Sequence, residues 1–169
     1  YVPDNNFEQA LIDLGFDDTL DNFVLTENIS GVTSLDVSSK SISDLTGIED
    51  FTALIDLRCQ TNQLTSLDVS NNTALTYLEA QNNSLTSLDV SSNTALTHLQ
   101  CNNNSLTSLD VSSNTALTYL QCNNNSLTSL DLGNITGLGH LDCYSNQLTS
   151  LDVSNNTGIG HLTCSNNQL

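Results

Sequence analysis

Residues 75–137 consist of three near-identical units: LTYLEAQNNSLTSLDVSSNTA (75–95), LTHLQCNNNSLTSLDVSSNTA (96–116) and LTYLQCNNNSLTSLDLGNITG (117–137). The pattern continues in residues 138–158 and in a shorter piece, 159–169. It is preceded by a full 21-residue unit, 54–74, and by a degenerate 22-residue unit, 32–53. Self-similarity at a fixed period of this length indicates a solenoid, in which each unit buries its apolar side chains by stacking on its neighbours.

Each unit follows the spacing L-x-x-L-x-L-x-x-N/C-x-L of a leucine-rich repeat, with Cys in place of the third apolar residue. The segment 76–80 alternates outward and inward residues, which predicts a short strand, and one strand per turn stacks into a parallel sheet. The second half of each unit has no helical pattern, so we expect extended pieces and turns there. The residues of unit 75–95 that we expect to point into the coil are Leu75, Leu78, Leu85, Leu88, Val90 and Ala95.

The prediction is therefore an α/β leucine-rich-repeat right-handed solenoid, with a parallel β-sheet on its concave face and little helix outside a helical N-terminal cap. The cap is expected over residues 1–31 and the solenoid over residues 32–169. Residues 4–15 have the pattern of a helix that Asp4 caps and Gly15 ends. The apolar residues expected to cover the open end of the coil are Leu20, Phe23, Leu25 and Ile29. No comparable cap follows residues 159–169, so we expect the natural chain to continue.

The charge is strongly unbalanced, with 19 acidic residues against two basic ones, Lys40 and Arg58, and a formal net charge of −17. Nucleic acid is excluded as a partner because its phosphates require Lys and Arg, and anionic lipid surfaces are disfavoured for the same reason. No long apolar run is present, so no membrane insertion is expected. Such acidity favours basic partners, cations or neutral ligands.

Two columns of repeated polar or small residues have a structural interpretation. An Asn recurs where each strand ends, and its amide can satisfy backbone groups that lose their ladder partners there; these residues are Asn62, Asn83, Asn104, Asn125, Asn146 and Asn167. A Cys recurs at one inward position, with Ala80 in its place in one unit; the five are Cys59, Cys101, Cys122, Cys143 and Cys164. Side chains in register point the same way, which disfavours disulfides. The Cys column is therefore predicted to be unpaired, buried thiols acting as small hydrophobes.

The outward strand positions form the candidate binding surface, because the three His residues and most of the Tyr residues fall on that face. The candidate ligand-binding residues are Arg58, Tyr77, Glu79, His98, Gln100, Tyr119, Gln121, His140, Asp142, Tyr144 and His161. One interpretation is cross-strand packing that only stabilises the sheet. The other is a binding stripe for a protein or a glycan, since exposed aromatic residues anchor interfaces.

The same face also carries residue types that can bind metals or act in catalysis. His140, Asp142 and His161 can meet on adjacent strands, but nothing in the sequence orients the imidazoles, so at most an adventitious metal contact is expected. His140 with Asp142 is the best candidate dyad for catalysis, and it lies on an open sheet that cannot exclude water. We therefore predict no enzyme, no catalytic residues, no metal site and no cofactor.

A further column, Asp68, Asp89, Asp110, Asp131 and Asp152, lies on the edge opposite the strand. The expected role is to accept backbone N–H bonds from the turn that follows each Asp. The alternative is a row of calcium sites, which is disfavoured because one carboxylate per turn is sparse for that ion.

The repeat resembles those of internalin J and related bacterial surface proteins, which carry 21-residue repeats with cysteine in the core. The stretch VPDNNFEQALIDLGFDDTLDNFVLTENI (2–29) and the following TSLDVSSKSISDLTGIEDFTAL (33–54) resemble the leucine-rich domains of secreted Bacteroidetes, especially flavobacterial, proteins. The resemblance implies a secreted or cell-surface location and a recognition module in a longer chain, used for adhesion or substrate targeting. We expect the module to be monomeric. A passive spacer within a multidomain enzyme or adhesin is the alternative.

Overall fold

The computed structural model describes all 169 residues. Two helices come first, α1 (Asn5–Asp13) and α2 (Thr26–Ile29), and a 3-10 turn lies at Ile48–Asp50. Seven short strands follow one another through the chain: β1 (Ser34–Asp36), β2 (Asp56–Arg58), β3 (Tyr77–Glu79), β4 (His98–Gln100), β5 (Tyr119–Gln121), β6 (His140–Asp142) and β7 (His161–Thr163). No helix is long and apolar enough to cross a bilayer.

The strands form one parallel sheet in the order β1 to β7, so each coil of the chain adds one strand beside the previous one. From β2 onward the register advances by one repeat per strand, and Tyr77, His98 and Tyr119 are direct neighbours. Equivalent positions of successive units therefore line up as columns. The predicted leucine-rich-repeat solenoid, with a parallel sheet and little helix, is confirmed.

A single apolar core runs the length of the solenoid. Leu78, Leu99 and Leu120, which lie at the centre of their strands, are all fully buried. Ala95 was expected to point inward and is exposed, so that expectation was wrong. The inward position nearby is taken by Asn93, which the sequence analysis did not identify.

This second buried Asn column lies on the side of the coil away from the strands. Its members are Asn72, Asn93, Asn114 and Asn156, with the buried Ile135 in the remaining unit. The Asn93 amide donates to the carbonyls of Val69 and Asn72, one coil earlier, at 3.0 and 2.9 Å. Extended backbone packed in the interior leaves carbonyls without partners, and the amides satisfy them.

The Asn column predicted at the strand ends has the expected role. Asn83 accepts from the Leu64 N–H at 3.0 Å and donates to the carbonyls of Cys59 and Ala80. The residue before it, Asn82, has a left-handed backbone with φ of 56°. The same left-handed turn recurs in every coil at Thr61, Asn82, Asn103, Asn124, Ser145 and Asn166. Asn is the non-glycine residue best suited to that conformation, which explains the NN pair in most units.

The N-terminal segment packs against the first coil. Asp4 caps α1 as predicted: its Oδ1 accepts from the N–H groups of Asn6 and Phe7. Its Oδ2 accepts from the N–H groups of Ser43 and Asp44 and from the Ser43 hydroxyl, which ties the helix to the first coil. Gly15 follows the helix with φ of 81°.

The apolar residues expected to cover the coil behave unequally. Of the four, Ile29 is buried, but Leu20, Phe23 and Leu25 are 49%, 61% and 63% exposed. Phe7 and Leu11 of α1 are fully buried instead. The expectation that Leu20, Phe23 and Leu25 cover the open end was wrong, because α1 supplies most of that cover.

The Cys and Asp columns agree with the predicted chemistry. All five thiols are free, and four are buried as predicted. The prediction of burial was wrong for Cys164, which is half-buried because its coil has a neighbour on one side only. Burial raises the pKa of Cys101 to about 12. Along the opposite edge each Asp side chain accepts the N–H two residues later at 2.9 Å, as for Asp89 and Ser91.

Candidate functional site

The strand face consists of the outward side chains of β2 to β7. Its first column is a continuous stack of five rings from Tyr77 through His98, Tyr119 and His140 to His161. Neighbouring ring centroids lie 4.1–4.2 Å apart and the planes differ by 6–13°. The parallel register places one ring directly over the next, because strands are spaced by about 4.8 Å.

Stacking determines which part of each ring a partner can reach. Each of the three inner rings has a neighbour on both faces, so its edge is what remains towards solvent. At one end the Arg58 guanidinium lies 5.0 Å from the Tyr77 ring centroid and covers its outer face. The stack is therefore a ridge of ring edges rather than a set of open flat platforms.

The second column supplies polar partners to the rings, mostly within the same strand. The Tyr77 hydroxyl donates to Glu79, and the Gln100 amide lies 3.0 Å from the His98 ring nitrogen. Residues two apart on a strand point to the same side, so each pair is local. Most polar groups of the face are thus already oriented by neighbours.

Arg58 is positioned by Asp56, a residue not among the predicted ligand-binding set. Its guanidinium donates through Nε and Nη2 to the two Asp56 carboxylate oxygens at 3.2 and 3.1 Å. The contact holds the cation against Tyr77. The i, i+2 spacing of Asp56 and Arg58 on one strand was the signal that could have identified it.

Asp142 is the most heavily bonded side chain of the face. Its Oδ2 accepts from the Gln121 amide at 2.7 Å and lies 3.0 Å from His140 Nε2. Its Oδ1 accepts from the Thr163 hydroxyl and lies 3.0 Å from His161 Nε2. Thr163 was also absent from the predicted set, although its register opposite Asp142 places it there.

The titration behaviour of the face follows from burial and these bonds. Burial acts to raise the pKa of Asp142, but hydrogen bonds from Thr163, His140, Gln121 and His161 outweigh it and lower the pKa to about 2. Burial, together with the bond to Glu79, raises the pKa of Tyr77 to about 12. Burial also lowers the pKa of His98, which favours a neutral ring.

The structure brings most of the predicted ligand-binding residues onto one surface, in two columns. The exception is Tyr144, which lies two residues beyond β6 and outside the ring stack. The strand face is an open sheet surface. A cavity of about 510 Å³ lies elsewhere, in the N-terminal cap, where it is lined by Phe16, Phe23 and Leu25 among others.

Comparison with known proteins supports the repeat assignment. Residues 81–100 and 102–119 match the profile of the family described as Leucine Rich repeat. Over 72 residues, or 43% of the chain, the sequence is 44% identical to internalin J of Listeria monocytogenes, of which this segment spans 8%. The chain is thus similar in sequence to a small part of a much longer protein.

Solved structures give the same relationship over the whole chain. The functional domain of internalin J from Listeria monocytogenes, which includes a cysteine ladder, matches with a TM-score of 0.92 and 45% identity, covering 98% of this chain and 37% of that one. Internalin C2 of the same species matches with a TM-score of 0.72 and 21% identity, covering 99% and 86%.

A plant structure shares the fold. The leucine-rich-repeat ectodomain of the membrane receptor kinase GASSHO1/SCHENGEN3 from Arabidopsis thaliana, in complex with CASPARIAN STRIP INTEGRITY FACTOR 2, has a TM-score of 0.75 and 21% identity. The match covers 85% of this chain and 19% of the ectodomain.

Proposed function

We propose that this chain is a non-enzymatic recognition module that binds a protein ligand through the strand face. The observation that carries the proposal is the ring stack, which fixes five rings and their polar partners on adjacent strands of a rigid sheet. A preorganised surface loses little side-chain entropy when a partner binds. Leucine-rich-repeat domains generally bind proteins, and the plant ectodomain of this fold is in complex with another protein factor.

The exposed geometry favours a polypeptide over a glycan. A sugar ring packs best on an open aromatic face, but the inner rings of the stack cover one another. What the face offers is ring edges beside amides and carboxylates, which suit the mixed groups of a peptide. The net charge of −17 favours a partner that carries basic side chains.

We place this module in a larger secreted or bacterial cell-surface protein, where it serves adhesion or targets a partner domain to its substrate. Similarity to internalin J and the resemblance of the N-terminal region to secreted Bacteroidetes proteins support that context. The cap over residues 1–31 and the solenoid over residues 32–169 act in it as one unit, because α1 packs into the same apolar core.

The test compares wild-type chain with a Tyr77→Ala/Tyr119→Ala variant on an array of extracellular protein domains and, in parallel, on a glycan array. Truncation of an aromatic interface anchor typically costs about 2 kcal/mol, or roughly 30-fold in affinity. The matched control is Asp89→Asn/Asp110→Asn on the opposite edge, and circular dichroism verifies that each variant is folded.

The proposal requires a protein hit that weakens in the Tyr variant and persists in the Asp control. A glycan hit that weakens in the Tyr variant and persists in the Asp control would mean that the strand face binds carbohydrate instead. Hits that follow the Asp edge, or that are indifferent to both variants, would place binding on another surface and leave the ring stack as sheet packing. The absence of any hit would favour a spacer.

A further inference from the structure

The end of the strand face at β6 and β7 contains a cluster that protein recognition does not require. His140 Nε2 and His161 Nε2 each lie 3.0 Å from one oxygen of Asp142. The three ligand atoms lie within 4.8 Å of one another, and this is the one such group of His, Cys, Asp and Glu side chains in the chain. Of the three other coils with a ring at this position, the first pairs Tyr77 with Glu79 and the second pairs His98 with Gln100. Only the coils of β6 and β7 therefore bring a carboxylate against two imidazoles.

We propose that His140, Asp142 and His161 bind one zinc-type divalent ion, with Zn²⁺, Co²⁺ and Ni²⁺ as the matching cations. Imidazole nitrogen and carboxylate oxygen are the donors that such ions prefer. Bond lengths near 2.0–2.1 Å place two ligands of a tetrahedral ion roughly 3.3 Å apart. The two His–carboxylate separations of 3.0 Å therefore need to change by only a few tenths of an ångström. The three ligand atoms span up to 4.8 Å, so one imidazole must also move towards the other.

The carboxylate is held in place by groups that do not ligate. The Gln121 amide donates to Asp142 Oδ2 at 2.7 Å, and the Thr163 hydroxyl donates to Oδ1. Outer-shell bonds of this kind fix a ligand's orientation, and their loss commonly weakens metal affinity by about 10–100-fold. The sequence showed no group that would orient the imidazoles, and only an adventitious contact was expected; the two contacts to Asp142 orient the third ligand, the carboxylate.

The rings are also constrained, but they retain room to adjust. His140 lies between Tyr119 and His161 with centroids 4.2 Å from each, while the His161 side chain is 51% exposed. A ligated ion lies close to the plane of each imidazole, so the more exposed His161 ring must tilt out of the stack. Each Nε2 then gives its lone pair to the ion, and the ring proton resides on Nδ1.

The composition of the site also selects the class of ion. Calcium takes six to eight oxygen ligands, and this cluster has a single carboxylate with two nitrogen donors. Three protein ligands leave at least one position for water or for a side chain of a partner.

The experiment titrates metal-free chain with ZnCl₂ by calorimetry and with Co²⁺ by visible absorption. One Zn²⁺ per chain is expected, with a micromolar dissociation constant, and His161→Ala and Asp142→Asn should each weaken it by about tenfold or more. The matched control is His98→Ala, which removes an equivalent ring whose neighbours are Tyr77, Tyr119 and Gln100. Cys164→Ser is the second control, since that half-buried thiol is the other accessible soft ligand.

Binding that survives both site variants, or that falls equally in His98→Ala, would overturn the site. So would Co²⁺ spectra with thiolate charge-transfer bands that vanish in Cys164→Ser. Failure to bind Zn²⁺ at all would also refute it. None of these readouts uses a protein partner, so their failure leaves the proposed recognition role to its own test.

Discussion

The junction between the N-terminal cap and the first coil depends on one side chain, Asp4. Its carboxylate accepts five hydrogen bonds, two from the start of α1 and three from Ser43 and Asp44, at 2.7–3.1 Å. Asp4→Asn keeps a competent helix cap but replaces one oxygen with an amide that cannot accept. The two bonds from the Ser43 and Asp44 N–H groups are therefore lost, while the Ser43 hydroxyl can turn to accept from the new amide.

The expected loss of stability in Asp4→Asn follows from the number of hydrogen bonds that are lost and from their exposure to solvent. A hydrogen bond to a charged group contributes about 1.5–3 kcal/mol, but Ser43 and Asp44 are exposed and their N–H groups can turn to water. We therefore expect a loss of about 2–4 kcal/mol in the stability of the cap. Asp4→Ser, which also caps helices but is too short to reach Ser43, should behave similarly, while Ser43→Ala should cost about 1 kcal/mol or less.

Hydrogen exchange with mass spectrometry measures where the loss occurs. Each coil contacts only its neighbours, so exchange should accelerate in α1 and around Ser43, and remain unchanged in β5 to β7. A uniform loss of protection along all coils would refute this reasoning, as would no change in the cap.

Acidification provides a second check on the same carboxylate. Burial acts to raise the pKa of Asp4, but hydrogen bonds from Ser43, Phe7 and Asp44 outweigh it and hold the pKa below its ordinary value of 3.8. A depressed folded-state pKa means that the ionised group stabilises the fold fully above pH 3.8, and that this stability is lost as the pH falls through the folded value. The difference in the free energy of unfolding between wild type and Asp4→Asn should therefore be constant near neutral pH and shrink in acid. A difference that stays constant down to strong acid would contradict this prediction.

Three further predictions concern the repeats. Leu99→Ala and Leu120→Ala should each lower the free energy of unfolding, measured with urea, by about 2–5 kcal/mol and by similar amounts, since both residues are fully buried in equivalent coils. A several-fold difference between the two losses would mean that the coils are not equivalent. Thiol titration of the native chain should detect about one reactive group, Cys164, and all five after denaturation; Cys164→Ser should abolish the native signal, and reaction of the buried four without denaturant would contradict the packing. Thr61→Asn should stabilise the fold by about 1 kcal/mol, because Thr61 has a left-handed backbone with φ of 58°, which Asn tolerates better. The new amide would also extend the side-chain ladder in which Asn103 donates to Asn82 at 2.8 Å. Thr65→Asn, outside the left-handed turn, is the control, and equal shifts of the melting temperature in the two variants would refute the explanation.

The period and the Leu spacing by themselves determine the architecture. A repeat of 21 residues with apolar residues at fixed positions has one economical solution, stacked coils that share a core, and the structure has it. The same spacing predicted the strand-end Asn ladder, the unpaired Cys column and the N–H bonds of the Asp edge. Each of these columns follows from one repeat unit, because stacking places the same residue of the next unit directly beside it.

Tertiary structure decided what the repeat cannot encode. Buried Asn93 and exposed Ala95 are two residues apart in an irregular turn, where no periodicity assigns inward and outward positions. The exposure of Phe23 and Leu25 depends on how α1 meets the first coil, which occurs once in the chain. On the strand face the sequence placed His140, Asp142 and His161 in adjacent columns, but only packing showed the rings stacked and the Asp142 carboxylate bonded to both. Columns are set by register, whereas side-chain rotamers and the bonds that fix them depend on neighbours from several coils at once.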